Sequence, residues 1–189
     1  MEDNNVLFAK LISQINSGLK ANISWLDACY GEAQTIVKNV NEQRYVLPCV
    51  YIGNGQTFRT NDYMEVTPDK RKGNFCFFLL DDPQDIDWTP NQQGYVSTPF
   101  SIIFWFDLRT IFGQNDVRNI DSVKAQILRE LNGGFSLKGG HITINRIYQQ
   151  AANVYRGFTI DEINNQFYMH PYGGLRFEGT MTTLEPCYI

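Results

Sequence analysis

Pro99-Phe-Ser-Ile-Ile-Phe-Trp-Phe-Asp-Leu108 is the stretch on which the fold turns. Successive side chains of a strand point to opposite faces, so Phe100, Ile102, Phe104, Phe106 and Leu108 share one face. Ile103 and Trp105 make the middle of the other face apolar too. A strand that is apolar on both sides at its centre has to be covered on both sides, which puts it inside a sheet. It feeds directly into a helical region. Ile120, Val123, Ile127, Leu128 and Leu131 recur at helical spacing, Asn119 or Asp121 can cap the start, and Asn132-Gly133-Gly134 stops it.

Outward from there, Phe8, Leu11, Ile12, Ile15 and Leu19 form a helical stripe, with Lys10, Gln14 and Asn16 off it, predicting a helix over about 5–19 that ends near Gly18. From Ala33 to Ile52 the pattern is extended and folds at Asn41-Glu-Gln-Arg44. Pro48 in the second arm of that hairpin argues for an edge strand or a bulge. Asn74–Leu80 is a short apolar strand, and His141–Tyr148 alternates. Gln149–Tyr155 is a short helical or irregular stretch. Gly174–Leu184 alternates again, with Leu175, Phe177 and Met181 inward and Arg176, Glu178 and Thr180 outward.

This order predicts a single α+β domain over residues 1–189, a mixed, mostly antiparallel sheet with helices packed on one face. It lacks the regular strand–helix alternation of a doubly wound nucleotide-binding fold. Residues 53–73 form a long polar excursion, read as an arm that orders against a neighbour. Residues 81–97 form an acidic loop broken by prolines.

With 43% hydrophobic and 14% aromatic residues the chain has ample material for a core, and its ten tyrosines suit contact surfaces. The charge sum of −4 excludes a global basic footprint for nucleic acid. No apolar run is long enough to cross a bilayer, and the polar start Met1-Glu-Asp-Asn-Asn5 is unlike a secretory signal. Cys29, Cys49, Cys76 and Cys187 are scattered without metal spacing, which points to free thiols in a reducing cytoplasm.

The chemistry-bearing motifs are sparse. Gly53-Asn-Gly55 lacks the third glycine and the helix of a phosphate cradle, and reads as a turn. Asp81, Asp82, Asp85 and Asp87 lack the glycine and terminal glutamate of a calcium loop, and read as a solvated or docking loop. Asn22-Ile-Ser24 is a chance match to a glycosylation acceptor. Lys70, Arg71 and Lys72 form a basic patch that can meet Asp81 or Asp82 of a neighbouring copy. Trp88, in a polar loop, is a candidate interface anchor. No catalytic residue, cofactor or metal is expected. The competing class is a small cytoplasmic α+β enzyme or binder whose pocket joins Cys187 to His141 or His170.

The order of an amphipathic helix, a hairpin, a long central strand feeding a helix (Asn119–Asn132) and the closing strand Gly174–Leu184 resembles the tail-terminator and tail-completion proteins of tailed bacteriophages, also called head–tail joining or neck proteins. The resemblance is one of layout over most of the chain, and carries no individual residue across. It implies a structural subunit in a ring of identical copies, contacting other neck or tail proteins, assembled in the host cytoplasm and carried in the virion. DNA would pass it only as cargo, and no membrane is involved. Lys70, Arg71, Lys72, Asp81, Asp82 and Trp88 are the expected interface.

Overall fold

The computed structural model describes residues 7–40, 42–53, 62–87, 94–113, 119–159, 167 and 169–184. In chain order these form α1 (Leu7–Asn22), β1 (Ala28–Val40), β2 (Gln43–Tyr51), β3 (Tyr63–Glu65), a 3-10 turn (Lys70–Lys72), β4 (Phe75–Leu80), β5 (Asp85–Asp87) and β6 (Tyr95–Asp107). There follow α2 (Leu108–Phe112), α3 (Ile120–Arg129), a wide turn (Glu130–Gly134), β7 (Gly140–Tyr148), α4 (Ala151–Val154) and β8 (Tyr172–Leu184). The fold is α+β. Among the described residues eight strands make one sheet in the order β3-β2-β1-β4-β6-β8-β7, with β5 pairing β6. β1 and β4 run parallel, and the other pairs are antiparallel.

The aromatic strand is interior, as its two apolar faces require. β6 has β4 and β5 on one side and β8 on the other, in register over Tyr95–Asp107 with Tyr172–Leu184. Phe100, Ile102, Phe104 and Phe106 join Cys76, Phe78, Leu175, Phe177 and Met181 on one face, beneath Leu11, Ile15 and Leu19 of α1 and Val123 and Ile127 of α3. Each fully buried side chain of this kind contributes about 1.5–3 kcal/mol of transfer free energy. The two long helices thus share one face. The other face is covered more thinly: Val66, Val154 and Tyr155 pack on Phe75, Phe77, Ile103 and Trp105, with Phe158 and Phe167 against them.

Prolines and glycines mark the irregularities. Pro99 sits within β6, yet costs no ladder bond. Its carbonyl accepts from Asp81 N at 2.9 Å, so its missing donor faces the break between β4 and β5. Pro48 lies just beyond the three residues of β2 that β3 covers, and its carbonyl accepts from Val66 N at 2.9 Å. β2 is therefore the strand next to an edge. Gly18 does not end α1, which continues to Asn22; it leaves room for the Phe135 ring, which a Cβ would strike.

Several boundaries differ from the sequence pattern. β1 begins at Ala28, five residues before the alternation is readable, because Ala28 and Cys29 pair with β4. The described part of the 53–73 excursion, residues 62–73, lies on its own sheet: Ile52 N bonds Asp62 O, β3 pairs β2, and Val66 is buried. Within the acidic stretch 81–97, residues 85–87 are strand β5 and β6 starts at Tyr95. Arg176 and Glu178, expected outward, are both largely covered, because the turn after α4 lies over their face of β8.

Candidate functional site

β4 enters the sheet directly after Lys70–Lys72 and leaves it into Asp81-Asp82, so the two charged groups picked out in the sequence occupy opposite ends of one strand. Six strand residues span about 20 Å, far beyond salt-bridge reach. The structure does not bring Lys70, Arg71 and Lys72 onto Asp81 and Asp82 within one chain.

The basic end is built on two copies of a local device, Asp-x-Arg. Asp69 caps the 3-10 turn by accepting from Arg71 N at 2.9 Å, and holds the Arg71 guanidinium at 2.6 Å. Asp107 caps α2 from Arg109 N at 3.0 Å, and holds that guanidinium at 2.6 Å. Arg109 reaches on to the Tyr172 hydroxyl, donating at 2.7 Å, with its charge 5.0 Å from the ring centre. Lys70 lies over the same ring at 5.9 Å. Lys72 is more buried, which lowers its pKa, and its ammonium donates to Thr67 O at 2.9 Å. Arg71, by contrast, is 88% exposed at its side chain.

Beneath these charges, buried Asn74 ties the end together. Its amide donates to Trp25 O and Thr110 Oγ1, its carbonyl accepts from Asp107 N, and its own N–H donates to Asp27. Trp105 stacks on Tyr172 at 5.4 Å. Arg109 and Tyr172 were not legible as site residues. The repeat of Asp69-Lys-Arg71 in Asp107-Leu-Arg109 is the signal that points to the first. Nothing in the sequence points to Tyr172.

These pairs make a pH prediction. The Arg71 side chain, and then its backbone N–H, hold the Asp69 carboxyl down at about 2 from 3.8. Burial pushes Asp107 up, but its bonds to Arg109 outweigh that and leave it lowered. A depressed folded pKa stabilises above the unfolded value and loses that contribution as the pH falls through the folded one. Stability is therefore expected to drop between about pH 3.8 and about pH 2 on account of Asp69. Asp69→Asn should flatten urea-denaturation midpoints over that window. The effect stays below about 1 kcal/mol because solvent screens the pair.

The acidic end carries Asp81, Asp82, Asp85 and Asp87, all exposed. β5 holds the last two on the outer part of β6 through Asp85↔Ser97 and Asp87↔Tyr95. Trp88 lies outside the described residues. Large apolar side chains face solvent at both ends: Ile86 and Tyr95 at the acidic end, and Met169, whose carbonyl accepts from Tyr172 N, at the basic end.

Between the ends, on the thinly covered face, Arg176 is buried beside Glu178 and Arg156. Its Nε lies 2.7 Å from Glu178 Oε1 but off the hydrogen-bonding direction, so that contact is electrostatic. Its Nη2 donates to Ser101 Oγ at 2.9 Å. Burial lowers its pKa and Glu178 opposes the fall. Arg156 pairs with Glu178 from outside and lies over the Tyr148 ring.

The histidines do not converge. His141 is in register with Thr182 near the end of β8, while His170 precedes its start, about 30 Å away along the strand. Cys187 lies outside the described residues, as do Asn54 and Gly55. Among the described residues no group of three or more His, Cys, Asp or Glu side chains is placed to hold a metal. Among the same residues no helix is long and apolar enough to cross a membrane. No protein-family model matches the chain, and no curated protein sequence matches it.

Proposed function

We propose that this chain is a structural subunit of a tailed-bacteriophage virion, a tail-terminator or head–tail connector that forms a ring at the neck or tail end. The observation that carries the reading is the separation of opposite charges on the two ends of β4. Within one chain they are out of reach of each other. A neighbour presented head-to-tail brings Lys70 and Arg71 of one copy to Asp81 and Asp82 of the next. Such a contact uses different surfaces on its two sides and closes into a ring when its rotation divides a full turn. Exposed ion pairs contribute about 0–1 kcal/mol each, so the charges set orientation and register. Area comes from apolar groups such as Ile86 and Met169. The layout of the chain supports the phage assignment, and the net charge of −4 suits a conduit that repels passing DNA. Other neck or tail proteins would bound the ring on either side.

Light scattering after size exclusion tests this. The chain should run as a defined oligomer, alone or with a neck or tail partner. Reversing one end (Lys70→Glu with Arg71→Glu) or the other (Asp81→Lys with Asp82→Lys) should shift it to the single chain. Mixing the two reversed proteins should restore assembly, since each then supplies the charge the other lacks. A chain that stays single under all these conditions would refute the reading. So would an oligomer indifferent to both reversals, as pairing through the edge of β7 would give. Tight duplex-DNA binding with a steep salt dependence would count against the conduit role.

A further inference from the structure

β1 and β4 are the parallel neighbours at the centre of the sheet, and their register sets Cys29 directly opposite Cys76. Register partners point to the same face, here the one under α1, where both thiols join the core cluster. Adjacent strands lie about 4.8 Å apart, inside the Cα separation of about 4.4–6.8 Å over which a disulfide closes. The two thiols differ in access. Cys76 is fully buried. Cys29 is half-buried and lines a groove of about 410 Å³ between α1 and β1, walled by Asn16, Ser17, Lys20, Gly31 and Glu32. β1 slips register against β4 between Cys29 and Glu32, which bends the strand beside the half-buried thiol.

We propose that Cys29 and Cys76 form a peroxide-reactive thiol pair, Cys29 meeting a hydroperoxide from the groove and Cys76 closing the disulfide from behind. The reactivity is arranged in that order. The bond from Cys76 lowers the Cys29 pKa, burial opposes this, and the Lys20 charge assists. Burial raises Cys76 and keeps it a thiol that donates toward its partner. In the first step the Cys29 thiolate attacks the outer oxygen of the hydroperoxide. An S–O bond forms, the O–O bond breaks, and the leaving alkoxide takes a proton from solvent to become an alcohol, or water from hydrogen peroxide. In the second step Cys76 sulfur attacks Cys29 sulfur. An S–S bond forms, the S–O bond breaks, and the hydroxyl leaves with the Cys76 proton as water. Two thiols are oxidised by two electrons and one peroxide is reduced. This inference is independent of the assembly reading.

The test exposes the reduced full chain to hydrogen peroxide near neutral pH and maps its thiols by mass spectrometry without reduction. The expected product is a Cys29–Cys76 linked peptide pair, two hydrogen atoms lighter than its parts, with Cys49 still free. In Cys76→Ala the Cys29 sulfenic acid should persist and be captured by dimedone. In Cys29→Ala, Cys76 should stay reduced. Gly31→Leu, whose Cβ meets open space at the groove wall, should slow the reaction of Cys29 about tenfold by limiting access. The proposal is overturned if Cys29 and Cys76 stay reduced while Cys49 or Cys187 oxidises. It is equally overturned if Cys29 goes on to a sulfinic acid with Cys76 still free. The mapping on the unaltered chain needs no variant to fold.

Discussion

Replacing Trp105 with alanine is expected to destabilise the fold by about 4 kcal/mol, within the range of about 3–5 for a large aromatic lost from a core. The indole is 1% exposed. It stacks on Tyr172 at 5.4 Å, meets Phe75 at 5.7 Å and Phe167 at 6.0 Å, and donates to Phe167 O at 2.9 Å. The ring thus joins the thin second layer to β4, β6 and β8 at once, so the cavity has little with which to collapse. Trp105→Phe separates the two contributions. It keeps most of the ring contact and strands the Phe167 carbonyl, for a loss of about 1–3 kcal/mol. Urea denaturation followed by circular dichroism reads both. A loss below about 1.5 kcal/mol for the alanine variant would show that the second face does not depend on this ring.

Glu178→Leu is expected to cost about 3–5 kcal/mol, because it leaves the Arg176 guanidinium buried without its anion. Arg176 is 4% exposed, and arginine does not deprotonate to escape the penalty. Ser101 and the Arg156 carbonyl would remain as neutral acceptors and would not balance the charge. The double variant Arg176→Met with Glu178→Leu should recover most of the loss, since two apolar side chains of similar size replace a desolvated pair. A double-mutant cycle on denaturation midpoints measures this. If the double variant is as unstable as Glu178→Leu alone, the pair is not the reason the single change is costly.

These two sites also differ in how far local sequence specifies them. Trp105 was legible as core, because strand alternation is a local property and Ile103 shares its face. Arg176 was misjudged by the same rule. Alternation tells which side chains share a face, and says nothing of what covers the face opposite Leu175 and Phe177. Whether that face is wet depends on the turn after α4, 20 residues away, which passes over it. The candidate assembly residues divide in the same way. Lys70–Lys72 and Asp81-Asp82 are visible as charge runs that flank the apolar strand Asn74–Leu80, so their placement at its two ends follows from the sequence itself. Arg109 and Tyr172 joined the basic end only through contacts made in space.

By itself, then, the amino-acid order determined the longer elements, though not the short strands β3 and β5. The long central strand, the capped helix at Asn119, the hairpin around 41–44 and the closing strand all follow from side-chain periodicity and turn chemistry within about ten residues. Tertiary structure alone decided which strands became neighbours, among them the parallel pairing that sets Cys29 against Cys76. It also decided which charges were buried, Arg176 above all. The reason is physical: periodicity is set by backbone geometry that each segment carries with it. Neighbour choice and burial are set by apolar area gathered from segments far apart in the chain, and no window of sequence contains that sum.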